Sequence, residues 1–264
     1  MKKLVITFLS IVIGFSAFHT SATTDFEHKW QSLPFIEKAF FEVALKNEFK
    51  TNVSPVLKWQ TPVRYWIKHD VANRKIHDLL LKKHFQHLSE ITHLPFSPAK
   101  NRSEANMLIF FTKQSLWKGI VRKEMGKRSA KNTYGSVCMF NIRAKKSTSV
   151  ISKAVIVIPV DQARDHGKLI ACIIEETTQS LGLKNDSVYA YPSIFNDKTP
   201  DTFLSPLDIT LLKLLYNPAI KPGMNKKELK PVLTREIKKM KRSGELDKSI
   251  YQAVHSPLRL YLGM

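Results

Sequence analysis

Hydrophobic positions recur along this chain of 264 residues with two different spacings. Short apolar runs bounded by polar or turn-forming residues predict β-strands. We predict four strands, at residues 63–67, 107–112, 134–142 and 154–160. The run at 107–112 is apolar almost throughout, which is typical of a strand covered on both faces. The run at 154–160 is rich in valine and isoleucine and is expected inside the sheet.

Apolar groups three and four positions apart predict helices between and after these strands. The first helix covers residues 34–49, and the second covers 71–89 with Asp70 as its N-cap. A third helix begins near Asp165. A fourth begins at Ser205, which is followed by a proline suited to the first helical position. Helices and strands in this mixed order predict the α+β fold class.

Residues 1–22 have the layout of a secretory signal peptide. Two lysines precede an apolar run and a small-residue cleavage site near Ala22. The run is shorter than the roughly 20 apolar residues of a membrane span, although an uncleaved anchor is the alternative. We therefore expect a periplasmic or secreted protein with one domain at residues 23–224 and an extension at 225–264.

The chain is strongly basic, with a formal net charge of +20. Such a charge favours association with polyanions, although solubility alone explains it equally well. The extension at 225–264 is expected to be helical, with a basic cluster at 238–242, and to pack on the domain or reach a partner. Because the chain carries an export signal, we expect an acidic polymer of the cell envelope or an anionic surface as the partner, rather than a specific nucleic acid.

Cys138 and Cys172 are the two cysteines of the chain. One disulfide between them would suit an exported protein. It would join a predicted strand to the third helix and close a loop worth about 3–4 kcal/mol in the chain-entropy model. Two buried thiols are the alternative.

The third helix carries the pattern E-E-x-x-Q-x-x-G-x-x-N. In zinc proteases with H-E-x-x-H, two histidines one turn apart bind the metal, and the glutamate between them is the general base. Here Glu175 and Gln179 occupy the two ligand positions and Glu176 occupies the base position. Gly182 is expected as the helix C-cap, and Asn185 stands where metzincins have their third histidine.

Residues 63–216 resemble the domain of metzincin metalloproteases in layout. The segment Ser193, Ile194 and Phe195 resembles the Met-turn of that family, with Phe195 or Ile194 in place of the methionine. The resemblance implies a twisted mixed sheet with a backing helix, a site helix and a closing helix. It also implies that the zinc ligands have been replaced.

A closer resemblance is to a bacterial family of exported proteins, domain-of-unknown-function family 2927. Five sequence blocks carry it: F-F-E-V-A-L-x-x-E at 40–48, W-x-x-P-V-R at 59–64, C-x-x-E-E-x-x-Q-x-L-G-L-x-N-D at 172–186, S-I-F-N-D at 193–197 and P-G-M at 222–224. They occur in order along the chain. The resemblance implies an exported protein and no particular reaction.

The donor atoms of this motif are all oxygens or amides. Zinc prefers histidine nitrogen and thiolate sulfur, so we expect no tight zinc and no other cofactor. A hard divalent cation such as Ca²⁺ or Mg²⁺ could use Glu175, Gln179 and Asp186, although such sites usually have more ligands. His77, His84 and His87 fall on the second helix, where we expect them on the solvent face.

Glu175 and Glu176 could also act without a metal, because neighbouring carboxylates provide an acid beside a base. Consecutive helical residues diverge by about 100°, so the second carboxylate would come from Asp186, Asp197 or Asp201. A solvent-facing pair without function is the plainest alternative.

Our preferred interpretation is a polar cluster in place of the metal. Gln179, Asn185 and Asn196, with Asp186 and Asp197, would connect the helix to the turn by hydrogen bonds. This predicts an exported, non-catalytic, zincin-like protein with a cleft for an extended peptide or an acidic glycan of the cell envelope. The alternative function is a hydrolase with Glu176 as general base.

Overall fold

A computed structural model describes residues 29–46, 53–196, 198 and 201–264. The predicted signal peptide at residues 1–22, its cleavage site at Ala22, and Asp197 lie outside the described residues. Within the described part of the chain, no helix is long and apolar enough to cross a membrane.

A five-stranded mixed sheet forms the centre of the fold, which confirms the α+β class. Its strands are β1 (Val63–His69), β2 (Phe96–Pro98), β3 (Met107–Thr112), β4 (Met139–Ala144) and β5 (Ile151–Pro159). Their order is β2-β1-β3-β5-β4, with β4 at one edge antiparallel to β5 and the other neighbours parallel. The strand predicted at 134–142 begins later, and the short β2 was not predicted.

Both faces of the sheet are covered by apolar layers. All six residues of β3 are buried. Met107, Ile109 and Phe111 belong to the larger core, whereas Leu108 and Phe110 belong to a smaller core on the opposite face. This alternation follows from the period-two direction of side chains along a strand, and it explains why β3 reads as a continuous apolar run.

Ten α-helices are found in the described residues. They are α1 (Leu33–Phe40), α2 (Arg74–Thr92), α3 (Gln114–Glu124), α4 (Lys127–Lys131), α5 (Val160–Asp165), α6 (Leu169–Gln179), α7 (Pro206–Tyr216), α8 (Lys226–Arg242), α9 (Glu245–Val254) and α10 (Pro257–Tyr261). Helix α1 continues as a π-helical turn, Phe41–Leu45. Trp117 and Val121 of α3 pack in the smaller core, and α2, α6 and α7 contribute to the larger one.

The three helices after residue 224 belong to the larger core. Leu229, Leu233 and Ile237 of α8 are fully buried in it, together with Leu246 of α9 and Leu258 of α10. A capping box formed by Asn225 and Glu228 starts α8. The predicted extension is therefore helical. It packs on the domain, which was one of its two expected arrangements.

The histidines of α2 are buried, so the expectation of solvent exposure was wrong. His77, His84 and His87 are at most 3% exposed. His84 Nε2 lies 3.1 Å from Thr178 Oγ1 of α6, which places α2 directly behind the predicted site helix. Burial lowers the pKa of His84 to about 3 and the pKa values of His77 and His87 to about 4. These side chains are neutral components of the core.

Candidate functional site

A cavity of about 850 Å³ lies between the edge strand β4 and helix α6. One wall is the strand itself, which contributes Met139, Phe140, Asn141 and Ile142. Helix α6 forms the opposite wall. Among the described residues β4 pairs only with β5, so its other edge faces away from the sheet. The cavity therefore combines an edge strand with the helix that carries the glutamate motif.

A disulfide between Cys138 and Cys172 joins these two walls, and the predicted pairing is confirmed. The two Cα atoms are 5.9 Å apart. Cys138 immediately precedes β4, and Cys172 lies in the first turn of α6. Because the bond connects the edge strand to the site helix, it fixes the separation of the walls at one end of the cavity.

One face of α6 is polar and the other is apolar. Cys172, Glu175, Glu176 and Gln179 are spaced for a single helical face, and all of them line the cavity. Ile173 and Ile174 are buried in the core behind them. Glu176 is 6% exposed, whereas Glu175 is partly exposed. The neighbouring glutamates therefore both reach the cavity, unlike a solvent-facing pair.

Among the described residues that line the cavity, acidic groups outnumber basic groups. Four carboxylate residues line it: Glu175, Glu176, Asp186 and Asp201. The basic residues in the same lining are Lys168 and Lys184. Burial lowers the pKa of Lys184 to about 7, so this amine is partly neutral near physiological pH. The cavity is thus acidic on a protein whose net charge is +20.

Gln179 and Asp186 form the expected polar contact across the end of the helix. Gln179 Nε2 donates to Asp186 Oδ1 at 2.7 Å. The contact holds the loop after α6 against the helix, and both residues line the cavity. A side-chain amide of α6 thus connects the helix to the loop that follows it.

Asn185 is not among the described residues that line the cavity, although its neighbours Lys184 and Asp186 are. Its Nδ2 donates to the carbonyl of Glu42 at 3.1 Å, and its backbone N–H donates to the carbonyl of Val43. Lys184 donates to the carbonyls of Val43 and Ala44. These carbonyls belong to the π-helical turn that follows α1. Asn185 therefore caps the first helix.

Gly182 is not the C-cap of α6, because the helix ends at Gln179 and its cap is Ser180. The glycine is required for a different reason. Its φ is 121°, and a Cβ atom there would lie 2.1 Å from the carbonyl oxygen of Leu57. The backbone after α6 thus passes directly over the segment before β1, and a side chain at this position would collide with it.

The predicted turn at Ser193, Ile194 and Phe195 lies below the cavity. Ile194 lines the cavity, whereas Phe195 is fully buried in the core. Ile194 is therefore the residue of this turn that faces the site. Ser193 Oγ donates to Asp208 Oδ1 at 2.5 Å, and the Ile194 N–H donates to Asp208 Oδ2 at 3.0 Å.

Asp208 was not predicted as a site residue, yet it fixes the turn. It also forms a capping box with Ser205 at the start of α7. Burial raises the pKa of Asp208 to about 6, while the hydrogen bonds from Ser193, Ser205 and Ile194 lower it. The S-P-L-D pattern was recognisable as a helix start. The hydrogen bond between Asp208 and Ser193, fifteen residues earlier, was not recognisable from the sequence.

Asn196 and Asp201 complete the lining on this side. Asn196 Nδ2 donates to the carbonyl of Ala190 at 2.8 Å, which closes the loop between α6 and α7. Both Asn196 and Asp201 line the cavity. Burial raises the pKa of Asp201, and the nearby Arg259 lowers it. Asp197 was assigned to the same cluster and lies outside the described residues.

The described residues contain no group of three or more histidine, cysteine, aspartate or glutamate side chains arranged to hold a metal ion. That the protein binds no cofactor and no tight zinc stays a prediction. The alternative is a hard divalent cation at Glu175, Gln179 and Asp186, and metal analysis would test both.

A model of the family described as Protein of unknown function (DUF2927) matches residues 34–235. The match includes the first helix, the whole sheet, both walls of the cavity, the turn below it and part of α8. No curated protein matches the chain.

Proposed function

The chain belongs to this family of proteins of unknown function, and we propose that it is an exported binding protein whose cavity takes an extended peptide segment. The observation that carries the proposal is that the edge strand β4 forms a wall of the cavity. An edge strand can pair with an extended peptide through main-chain hydrogen bonds, and pockets beside it select the side chains.

The form of the cavity supports a peptide ligand. Met139, Phe140 and Ile142 bring apolar groups to the wall that a peptide would follow. A volume of about 850 Å³ suits several amino-acid side chains. Tyr134 is 97% exposed and directly precedes Gly135 of the lining, so the ligand would find an aromatic contact beside the cavity.

The charge of the cavity favours a neutral or basic peptide over an acidic glycan. Glu175, Glu176, Asp186 and Asp201 would repel a carboxylated or sulfated sugar at close range. The same groups would attract a lysine or arginine side chain of a peptide. Of the two ligand classes that the sequence suggested, we therefore retain the peptide.

We further propose that this site is the zincin-like cleft that the sequence resembles, with its metal replaced by direct contacts. The edge strand above the helix, the glutamate at the base position and the turn below the helix support this proposal. The Gln179–Asp186 contact and the Cys138–Cys172 bond would supply the connections that a zinc ion supplies elsewhere. The disulfide is also consistent with export.

The binding proposal can be tested with a library of short unstructured peptides and the purified protein. We expect peptides with a basic residue between apolar residues to bind, and Glu175→Gln to weaken their binding by about tenfold, because one attractive carboxylate is removed. Glu90→Gln is the matched control, since Glu90 is exposed on α2. Tighter binding of an acidic oligosaccharide than of any library peptide would contradict the proposal.

A hydrolase is the second candidate, and the position of Glu176 favours it. This glutamate is 6% exposed and lines the cavity, as a general base in a cleft must. The second carboxylate that acid–base chemistry requires is available from Asp186 or Asp201, which line the same cavity.

The hydrolase is tested by incubating the selected peptides with the protein and with Glu176→Gln. Cleavage by the parent protein that is abolished in the Gln variant would favour the hydrolase. Tight binding without cleavage by either protein would favour the binding protein. Metal analysis of the same preparations tests the expected absence of zinc, and one equivalent of bound zinc would contradict it.

A further inference from the structure

Helix α8 carries an exposed, strongly basic face that is separate from the cavity. Eight of its seventeen residues are lysine or arginine, and all eight are exposed. Its acidic residues are Glu228, which forms the capping box, and Glu236, which is buried against Arg235 and Lys239. The face is therefore almost entirely cationic.

The opposite face of α8 holds the helix in place. Leu229, Leu233, Ile237 and Met240 are buried in the larger core. Because the helix is packed along its length, the basic side chains project from a fixed backbone. The backbone that carries the basic side chains is thus ordered before any polyanion binds, unlike the backbone of a disordered basic tail.

The arrangement places like charges next to one another. Two pairs of like charges are i,i+4 neighbours, a spacing at which they repel: Lys226 with Lys230, and Lys238 with Arg242. Lys238, Lys241 and Arg242 form no ion pair with any residue that the structure describes. Solubility requires basic residues, but it does not require them on one helix face. An anionic partner would relieve the repulsion.

The helix that follows α8 indicates which polyanion would fit. Helix α9, which packs against α8, exposes Tyr251 and Val254. Basic residues together with exposed aromatic and aliphatic residues are the combination that binds the surface of an anionic bilayer, because the charges attract headgroups and the apolar groups enter the interface. Non-specific binding to duplex DNA rests on phosphate contacts, which do not use exposed apolar residues.

We propose that α8, with Tyr251 and Val254 of α9, is a docking surface for an anionic lipid bilayer. The protein would lie on the membrane surface, held by headgroup contacts of the basic face of α8. This attachment is independent of the cavity and needs no membrane-spanning segment.

Co-sedimentation with vesicles tests the proposal. The protein beginning at residue 23, which retains every described residue, is mixed with vesicles of equal parts phosphatidylglycerol and phosphatidylcholine, or of phosphatidylcholine alone. We expect binding to the anionic vesicles only, and a decrease with added salt. The variant Lys238→Glu/Lys241→Glu/Arg242→Glu should lose at least about tenfold in partitioning.

The matched control is Lys118→Glu/Arg122→Glu/Lys123→Glu, which changes the net charge equally at three exposed positions of α3. Full retention of vesicle binding by the control supports a defined surface on α8, and an equal loss in both variants would overturn it. Circular dichroism and a glutamine version of the α8 variant separate loss of charge from loss of fold. Replacement of Tyr251 and Val254 by serine should also weaken binding. Tighter binding to duplex DNA than to vesicles would overturn the bilayer assignment.

Discussion

At the residue scale, neighbours in sequence have different functions at the end of α6. Lys184 and Asn185 donate to the carbonyls that end the first helix, while Asp186 accepts the hydrogen bond of Gln179 beside the cavity. The segment at residues 172–186 therefore contains two kinds of residue. Some maintain the packing of the first helix against α6, and others form the cavity. Substitutions within the motif should separate these effects.

Gly182 belongs to the residues that maintain the packing. Gly182→Ala should lower the free energy of unfolding by at least about 3 kcal/mol, because the new Cβ would overlap the carbonyl oxygen of Leu57 and the positive φ disfavours alanine. Chemical denaturation measures the change. Gly119→Ala is the control, since no atom lies within 4 Å of its Cβ position, and a helix interior favours alanine. Equal stability of both variants would show that the close approach is absent.

At the element scale, α6 is held from both sides. The disulfide connects it to β4, and His84 of α2 meets Thr178 on its other face. The apolar side of α6 was predictable from sequence, because Ile173 and Ile174 follow helical spacing. The contact with α2 was not predictable from the sequence. His84 lies 94 residues before Thr178, and the histidines of α2 are as compatible with a solvent face as with a core. Their burial makes the free energy of unfolding depend on pH.

The protein should lose stability as the pH falls below about 6.5, since the unfolded histidines then bind protons that the folded ones exclude. The folded pKa values of His77, His84 and His87 are lowered to about 4, 3 and 4. Asp208 has the opposite effect between its raised pKa of about 6 and its ordinary value of 3.8. The net uptake on unfolding is thus roughly two protons, each worth about 1.4 kcal/mol per pH unit.

Denaturant unfolding between about pH 7 and about pH 4.5 measures this slope. His84→Gln should reduce the slope by one proton, because this buried imidazole then no longer contributes. A free energy of unfolding that is constant over this range would refute the neutral, buried state of the histidines.

The disulfide gives a second prediction at this scale. Cys138→Ser/Cys172→Ser should lower the free energy of unfolding by about 3–4 kcal/mol in the chain-entropy model, because the bond closes a loop of 34 residues. It should also weaken peptide binding more than this loss of stability explains, since β4 would no longer be fixed to α6. Calorimetry and peptide titration of the same variant measure both effects. Unchanged peptide affinity would mean that the width of the cavity does not depend on the bond.

At the scale of the whole molecule, sequence patterns predicted the fold class, four of the five strands and the cysteine pairing. They did not predict the three-residue strand β2, which is too short to show a period and contains Pro98. They assigned Glu175, Glu176 and Gln179 to one site, and all three line the cavity, but they did not predict the partners of Asn185. The reason is that its partners, the carbonyls of the π-helical turn, have no side-chain signal. Contacts between distant backbone segments were the main information missing from the sequence.

The helices after residue 224 should be indispensable for folding, because they fill the larger core with Leu229, Leu233 and Leu258. Truncation after Met224 would expose this apolar surface to water, and we expect an insoluble or unfolded product. Expression, circular dichroism and gel filtration of the truncated chain test this. A soluble, folded product would show that these helices form a separate unit. The charge reversals on α8 therefore test the membrane surface better than a deletion does.

Amide hydrogen exchange measures peptide binding at the outer edge of β4 directly. Exchange is followed by mass spectrometry with and without a peptide selected from the library, and β3 within the sheet is the internal reference. We predict that the peptide slows exchange in Met139–Ala144 and leaves Met107–Thr112 unchanged, because only the edge strand gains main-chain hydrogen bonds. Exchange in β4 that is the same with and without a bound peptide would contradict the proposed function.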